Sequence, residues 1–87
     1  MRRISFVPKA LENFVEWVSE SKKIHAKIVE LVKDIQRNSF SGIGKPEPLR
    51  HELKGLWARR ITAEHCLVYE IKGDEIIIHS CKFHYEK

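Results

Sequence analysis

A chain of 87 residues and 10.3 kDa allows one folded domain, near the lower size limit for a single hydrophobic core. A hydrophobic share of 43%, with 2 Trp, 4 Phe and 2 Tyr, excludes a disordered chain, and no apolar run approaches the roughly 18 residues that cross a bilayer. The net charge of +4 and pI of about 9.2 favour a polyanionic partner without naming one.

Met1-Arg2-Arg3 opens the chain without the apolar core or cleavage site of a secretory leader. A cytoplasmic protein is expected, with no membrane association and with Cys66 and Cys81 as reduced thiols. A disulfide between them, or a zinc site built with His84, is a weaker alternative, since neither a CxxC nor an HxxxH pattern is present.

Arg3 to Val7 predicts a short strand stopped by Pro8, which suits the first turn of a helix. Leu11, Phe14, Val15 and Val18 fall at helical spacing and predict a helix over 8–20 with these residues inward. Ser21 is placed to cap a second helix, whose apolar stripe is Ile24, Ile28, Leu31, Val32 and Ile35, ending near Asn38. Its other face carries Lys22, Lys23, Lys27, Lys33 and Arg37 against Glu30 and Asp34. That face is read as solvated, with contact to RNA or a ribosome as the alternative. Strands are expected at 50–53, 56–61, 65–71 and 75–84, turning at Lys54-Gly55, Thr62-Ala63 and Lys72-Gly73-Asp74. The triplet Ile76-Ile77-Ile78 suits a strand buried on both faces. The result is a single α+β domain over 1–87, β-α-α and then an antiparallel meander. Both helices pack on one face of a twisted sheet, leaving the other face as a concave site.

The stretch from Gly42 to Arg60, GIGKPEPLRHELKGLWARR, holds 3 of the 4 glycines and 2 of the 3 prolines. Pro46 and Pro48 stiffen the backbone on either side of Glu47. Cleaving RNA through its own 2′-hydroxyl needs a base for that proton, an acid for the leaving 5′-oxygen, and positive charge at the phosphorane. Glu47 can be the base, and His84, whose imidazole titrates near neutrality, the acid. Lys45, Arg50, Arg59 and Arg60 can supply charge, and Trp57 or Tyr85 can stack on a base. No metal or cofactor is required. Each residue also has a plainer reading: a solvated loop carboxylate, a structural histidine at a strand end, packing aromatics. Arg59 and Arg60 alternate across a strand, so at most one can face a given site.

The run GKPEPLRHELKGLWARRITAEH, then LVY, then the closing CKFHY, resembles the YoeB branch of the RelE toxin family over essentially the whole chain. The resemblance implies a RelE-like fold and a ribosome-dependent mRNA endonuclease that cuts in the ribosomal A site without a metal. It implies a bacterial toxin–antitoxin pair, with a cognate antitoxin, YefM-like or other, as silencing partner. Operator DNA would be bound only through the antitoxin complex, and dimers are known in the family. By motif, Glu47 is the general base, His84 the general acid, and Tyr85 its partner in placing substrate. The family's segment EHRLVY carries a phosphate-stabilising arginine where this chain has Cys66. The resemblance therefore also admits a weak or inactive homologue that serves as antitoxin-binding partner and co-repressor. A generic RNA-binding module is the third reading.

Overall fold

The computed structural model describes residues 1–83. β1 (Arg3–Phe6) leads into α1 (Pro8–Glu20) and α2 (Lys22–Arg37). Then come the two-residue β2 (Glu47–Pro48), a 3-10 turn at His51–Leu53, β3 (Leu56–Arg60), β4 (Cys66–Lys72) and β5 (Glu75–Ser80). The expected α+β fold is present. β2 to β5 pair antiparallel in chain order, and β1 closes the sheet by pairing parallel to β5, giving the order β1-β5-β4-β3-β2.

Local chemistry explains the helices. Pro8 starts α1 with φ already set. Ser21 caps α2 as expected, its hydroxyl accepting from the Ile24 amide at 3.2 Å. The core lies between the helices and one sheet face. Ala10, Trp17, Ile28, Leu31 and Ile35 meet Leu67, Tyr69, Ile76 and Ile78 there. Ile77 points to the other face and is only half-buried, so β5 is not fully buried on both sides.

Two further expectations need correction. α1 turns Ala10, Asn13 and Trp17 inward, while Leu11, Val15 and Val18 are 50%, 59% and 51% exposed. Period alone could not choose between two apolar stripes. Polar pairing decided, because Trp17 Nε1 donates to the Cys81 carbonyl at 2.9 Å and Asn13 Oδ1 accepts from the Cys81 amide at 3.2 Å. The strand expected at 50–53 is instead a 3-10 turn. His51 adopts φ +58, and the chain bends so that Leu53 packs on Leu49, Ala58 and Val68 on the face away from the helices. Edge pairing with β3 is supplied earlier, by Glu47 opposite Ala58 and Pro48 opposite Trp57. An edge strand tolerates that proline, whose missing N–H breaks no ladder.

Candidate active site

Strand alternation assigns each residue of the Gly42–Arg60 stretch to a face. Ala58 belongs to the small apolar cluster on the face opposite the helices, and Glu47, its partner in register, shares that side. Arg60 is opposite Cys66, two residues from Val68 of the same cluster. These residues meet at one end of the open face. A cleft of about 200 Å³ is lined by Lys45, Glu47, Ala58, Arg59, Arg60, Thr62, Ala63 and Cys66. Lys45, Glu47 and Arg60 are exposed, whereas Cys66 is 6% exposed.

The approach to Glu47 is shaped by glycine. Gly44 has φ +79, and a Cβ there would lie 2.8 Å from Leu31 Cδ2 and 3.1 Å from the Arg60 carbonyl. Its own carbonyl accepts from the Arg60 amide at 2.7 Å, extending the β3 edge toward the cleft.

Arg59 was expected to meet substrate, and the structure gives it another job. It is fully buried, and its guanidinium donates five hydrogen bonds. The acceptors are Tyr69 Oη (3.1 Å), Asp34 Oδ2 (2.6 Å) and the carbonyls of Ile43 (3.1 Å), Asn38 (2.6 Å) and Ser41 (2.9 Å). It ties α2 to the loop before Glu47. The guanidinium, more than burial opposes it, holds the Asp34 carboxyl below the usual carboxylate range. Asp34 is thus an inward ion-pair partner, not part of the solvated face of α2. Sequence reasoning missed this pair, and its one signal was that Arg59 and Arg60 must part company across the strand.

Trp57 is likewise corrected. It faces the helix side with Arg59, packs against the main core and meets the Phe40 ring at 5.1 Å, so it offers no platform in the cleft. Arg50 stands at the start of the 3-10 turn and does not line the cleft. His84 and Tyr85 lie outside the described residues.

The two cysteines are reduced and lie apart, Cys66 in the cleft and Cys81 in the helix-side core. That separation counts against both the disulfide and a zinc site shared between them. Burial raises the Cys66 thiol, an effect that nearby Arg60 only partly offsets, and pushes Cys81 up to about 12. Neither supplies a thiolate near neutral pH.

Among the described residues no helix is long and apolar enough to cross a membrane. Residues 6–85 match the family described as "YoeB-like toxin of bacterial type II toxin-antitoxin system". The chain is 49% identical to Toxin YoeB of Escherichia coli K12 over 74 residues, covering 85% of this chain and 88% of that protein. It superposes on the YoeB dimer of Staphylococcus aureus with a TM-score of 0.90 at 46% identity, covering 97% of this chain and 98% of that one. The YoeB–YefM complex of the same organism gives 0.89 at 45%, covering 98% and 99%. The cleft with its stiffened carboxylate, the fold and these likenesses agree: the chain belongs to the YoeB-like toxins of bacterial type II toxin–antitoxin systems.

Proposed function

We propose that this protein is an endoribonuclease toxin that cuts mRNA on the ribosome, held in check by an antitoxin in the cytoplasm. The observation that carries the reading is the cleft that gathers Glu47, Lys45 and Arg60 on the open sheet face. Glu47 takes the proton of the substrate's 2′-hydroxyl, and that oxygen attacks phosphorus. The P–O5′ bond breaks, His84 protonates the departing 5′-oxygen, and a 2′,3′-cyclic phosphate is left on the upstream fragment. Lys45 and Arg60 meet the phosphorane's charge. The part given to His84 is supported by the Cys66 amide, which donates to the Phe83 carbonyl at 3.0 Å and so ties the residue before His84 to a residue that lines the cleft.

Glu47→Gln tests the base. The side chain is exposed, so melting should be unchanged while cleavage of mRNA on programmed ribosomes falls about 10²–10⁴-fold. His84→Gln should act similarly. A variant that cuts at the parent rate has lost no base or acid, and the assigned role goes with it.

A second reading is favoured by Cys66 itself, which places no cation where the family has one. Under it, the protein cuts RNA poorly and acts mainly by binding antitoxin and, through it, operator DNA. Growth arrest on induced expression, relieved by the neighbouring antitoxin gene, separates the first reading from the second.

Partner binding has its own surface. Leu11, Val15 and Val18 form an exposed apolar strip along α1, which a second copy of the chain would cover. Relatives support the partners: the Staphylococcus aureus proteins are described as a YoeB dimer and as a YoeB–YefM complex. Val15→Lys is expected to shift sedimentation of the free protein toward monomer. Identical sedimentation of the variant and the parent across the same concentrations would clear the strip of this role.

A further inference from the structure

Several elements hold the last described segment by hydrogen bonds, although the Phe83 side chain itself is 65% exposed. Trp17 Nε1 donates to the Cys81 carbonyl at 2.9 Å, and Lys82 Nζ donates to Glu16 at 3.2 Å and Glu20 at 2.9 Å. Phe83 follows, with φ +62, a left-handed conformation that costs a bulky side chain energy unless its surroundings enforce it. Two bonds enforce it. The Phe83 amide donates to His65 Nδ1 at 2.7 Å, and its carbonyl accepts from the Cys66 amide at 3.0 Å. Consecutive residues of β4's approach thus hold both polar groups of one peptide unit's residue. The His65 ring is itself oriented by an edge contact with Trp17 at 4.8 Å and a tilted contact with Phe83 at 5.5 Å. Thr62 Oγ1 accepts from the His65 amide at 3.1 Å and fixes the turn that carries the ring.

From this geometry we infer that His65 is a positioning residue for RNA cleavage: its Nδ1 latches the Phe83 amide and so holds the backbone immediately before His84. The inference rests on the nuclease reading above. Nδ1 can accept only when it carries no proton, so the working ring is the Nε2–H tautomer. His65 touches the backbone that leads to His84, and acts through it. Losing an acceptor here leaves Phe83 free to relax from its left-handed conformation. Even a small displacement of an acid from the leaving oxygen is expensive, because general acid catalysis requires hydrogen-bond reach. A histidine merely filling space beside Trp17 would need no acceptor at that position.

The test separates the ring from its acceptor. His65→Phe keeps an aromatic ring against Trp17 and removes Nδ1. His65→Asn removes the ring and keeps an oxygen acceptor at the position of Nδ1, two bonds from Cβ. Both are made in the Cys66→Arg protein and in the parent. Two readouts are taken: hydrogen exchange of the Phe83 amide by NMR, and kcat and KM on programmed ribosomes. The expected result is Phe83 exchange roughly tenfold faster in His65→Phe, with kcat lowered at least roughly tenfold and KM within about twofold. His65→Asn should recover most of both. Unchanged exchange in His65→Phe would mean that no latch exists. Faster exchange at an unchanged kcat, or an asparagine that restores exchange but not kcat, would overturn the positioning role. If neither Cys66→Arg nor the parent cuts RNA, the nuclease reading fails and the positioning role falls with it. Phe83 exchange would then still report whether the latch itself is present, so the two failures are told apart.

Discussion

Replacing Cys66 with arginine is expected to raise mRNA cleavage on programmed ribosomes by about two to three decades, roughly 2.7–4 kcal/mol of transition-state stabilisation. One donor aimed at charge that develops only in the transition state is worth that much. Cys66 begins β4 opposite Arg60 and lines the cleft with Glu47. An arginine at its position can place a planar fork on two non-bridging phosphate oxygens, and those bonds strengthen as the phosphorane forms. The thiol cannot substitute. Burial keeps it protonated, and a thiolate beside a phosphate would repel it. Arg60 and Lys45 already bring charge to the cleft, so an equal rate for the two proteins would show that they suffice and that Cys66 is not the deficit. Cys66→Lys is the informative control, supplying charge without the fork, and should recover only part of the gain. Antitoxin binding by the parent and by Cys66→Arg should both be tight, because the fold around Cys66 is held by backbone bonds.

Asp34→Ala is expected to destabilise the protein by about 3–5 kcal/mol, a large share of the roughly 5–15 kcal/mol that holds a small domain together. The substitution leaves the Arg59 guanidinium buried with carbonyls and a phenol but, among the described residues, no counter-ion. It also removes the carboxylate that accepts from the Ile43 amide at 3.0 Å. The loop from Asn38 to Ile43 is hung on this pair, so the approach to Glu47 should loosen before the domain unfolds. Gly42 shows how closely the loop is fitted: with φ +121, a Cβ there would sit 2.0 Å from Asp34 Oδ2. Urea unfolding of the variant measures the effect, and a loss under about 1 kcal/mol would mean that the loop carbonyls alone satisfy Arg59. The double variant Asp34→Leu/Arg59→Met should lose much less than Asp34→Ala, because it buries no orphaned charge.

The same pair predicts an acid limb. Its partner holds the folded-state pKa of Asp34 below that of the unfolded chain, so the folded state binds the proton less readily. The stabilisation is complete above the ordinary carboxylate pKa of about 3.9 and is lost as pH falls through the lowered folded-state value. Stability measured down through this range should fall more steeply in the parent than in Asp34→Asn. Parallel curves would show that Asp34 titrates as it does in the unfolded chain.

Much of the architecture was legible because it is written in local chemistry. Pro8 and Ser21 mark helix starts by φ and by a side-chain acceptor, and both starts are where those residues put them. Lys72-Gly73-Asp74 turns β4 into β5 as expected, with Gly73 at the left-handed φ that such a turn needs, whereas Lys54-Gly55 leads out of the 3-10 turn and joins no strand at 50–53. The long motif around Glu47 led to the family, and alternation along β3 required Arg59 and Arg60 to face opposite ways.

What remained for the tertiary structure was every choice between locally equivalent options. Leu11, Val15 and Val18 are as apolar as a core stripe, yet α1 turns Trp17 inward because only that orientation gives its indole N–H the Cys81 carbonyl. Either arginine of the pair could have met substrate, and it was Asp34, far away on α2, that drew Arg59 into the interior. His65 opens the strand expected at 65–71, and only the folded chain brings the Phe83 amide to its Nδ1. Propensity and pattern act over a few residues and so are present in the sequence. Partners for buried polar groups come from distant segments, and only the folded chain brings the donor to its acceptor.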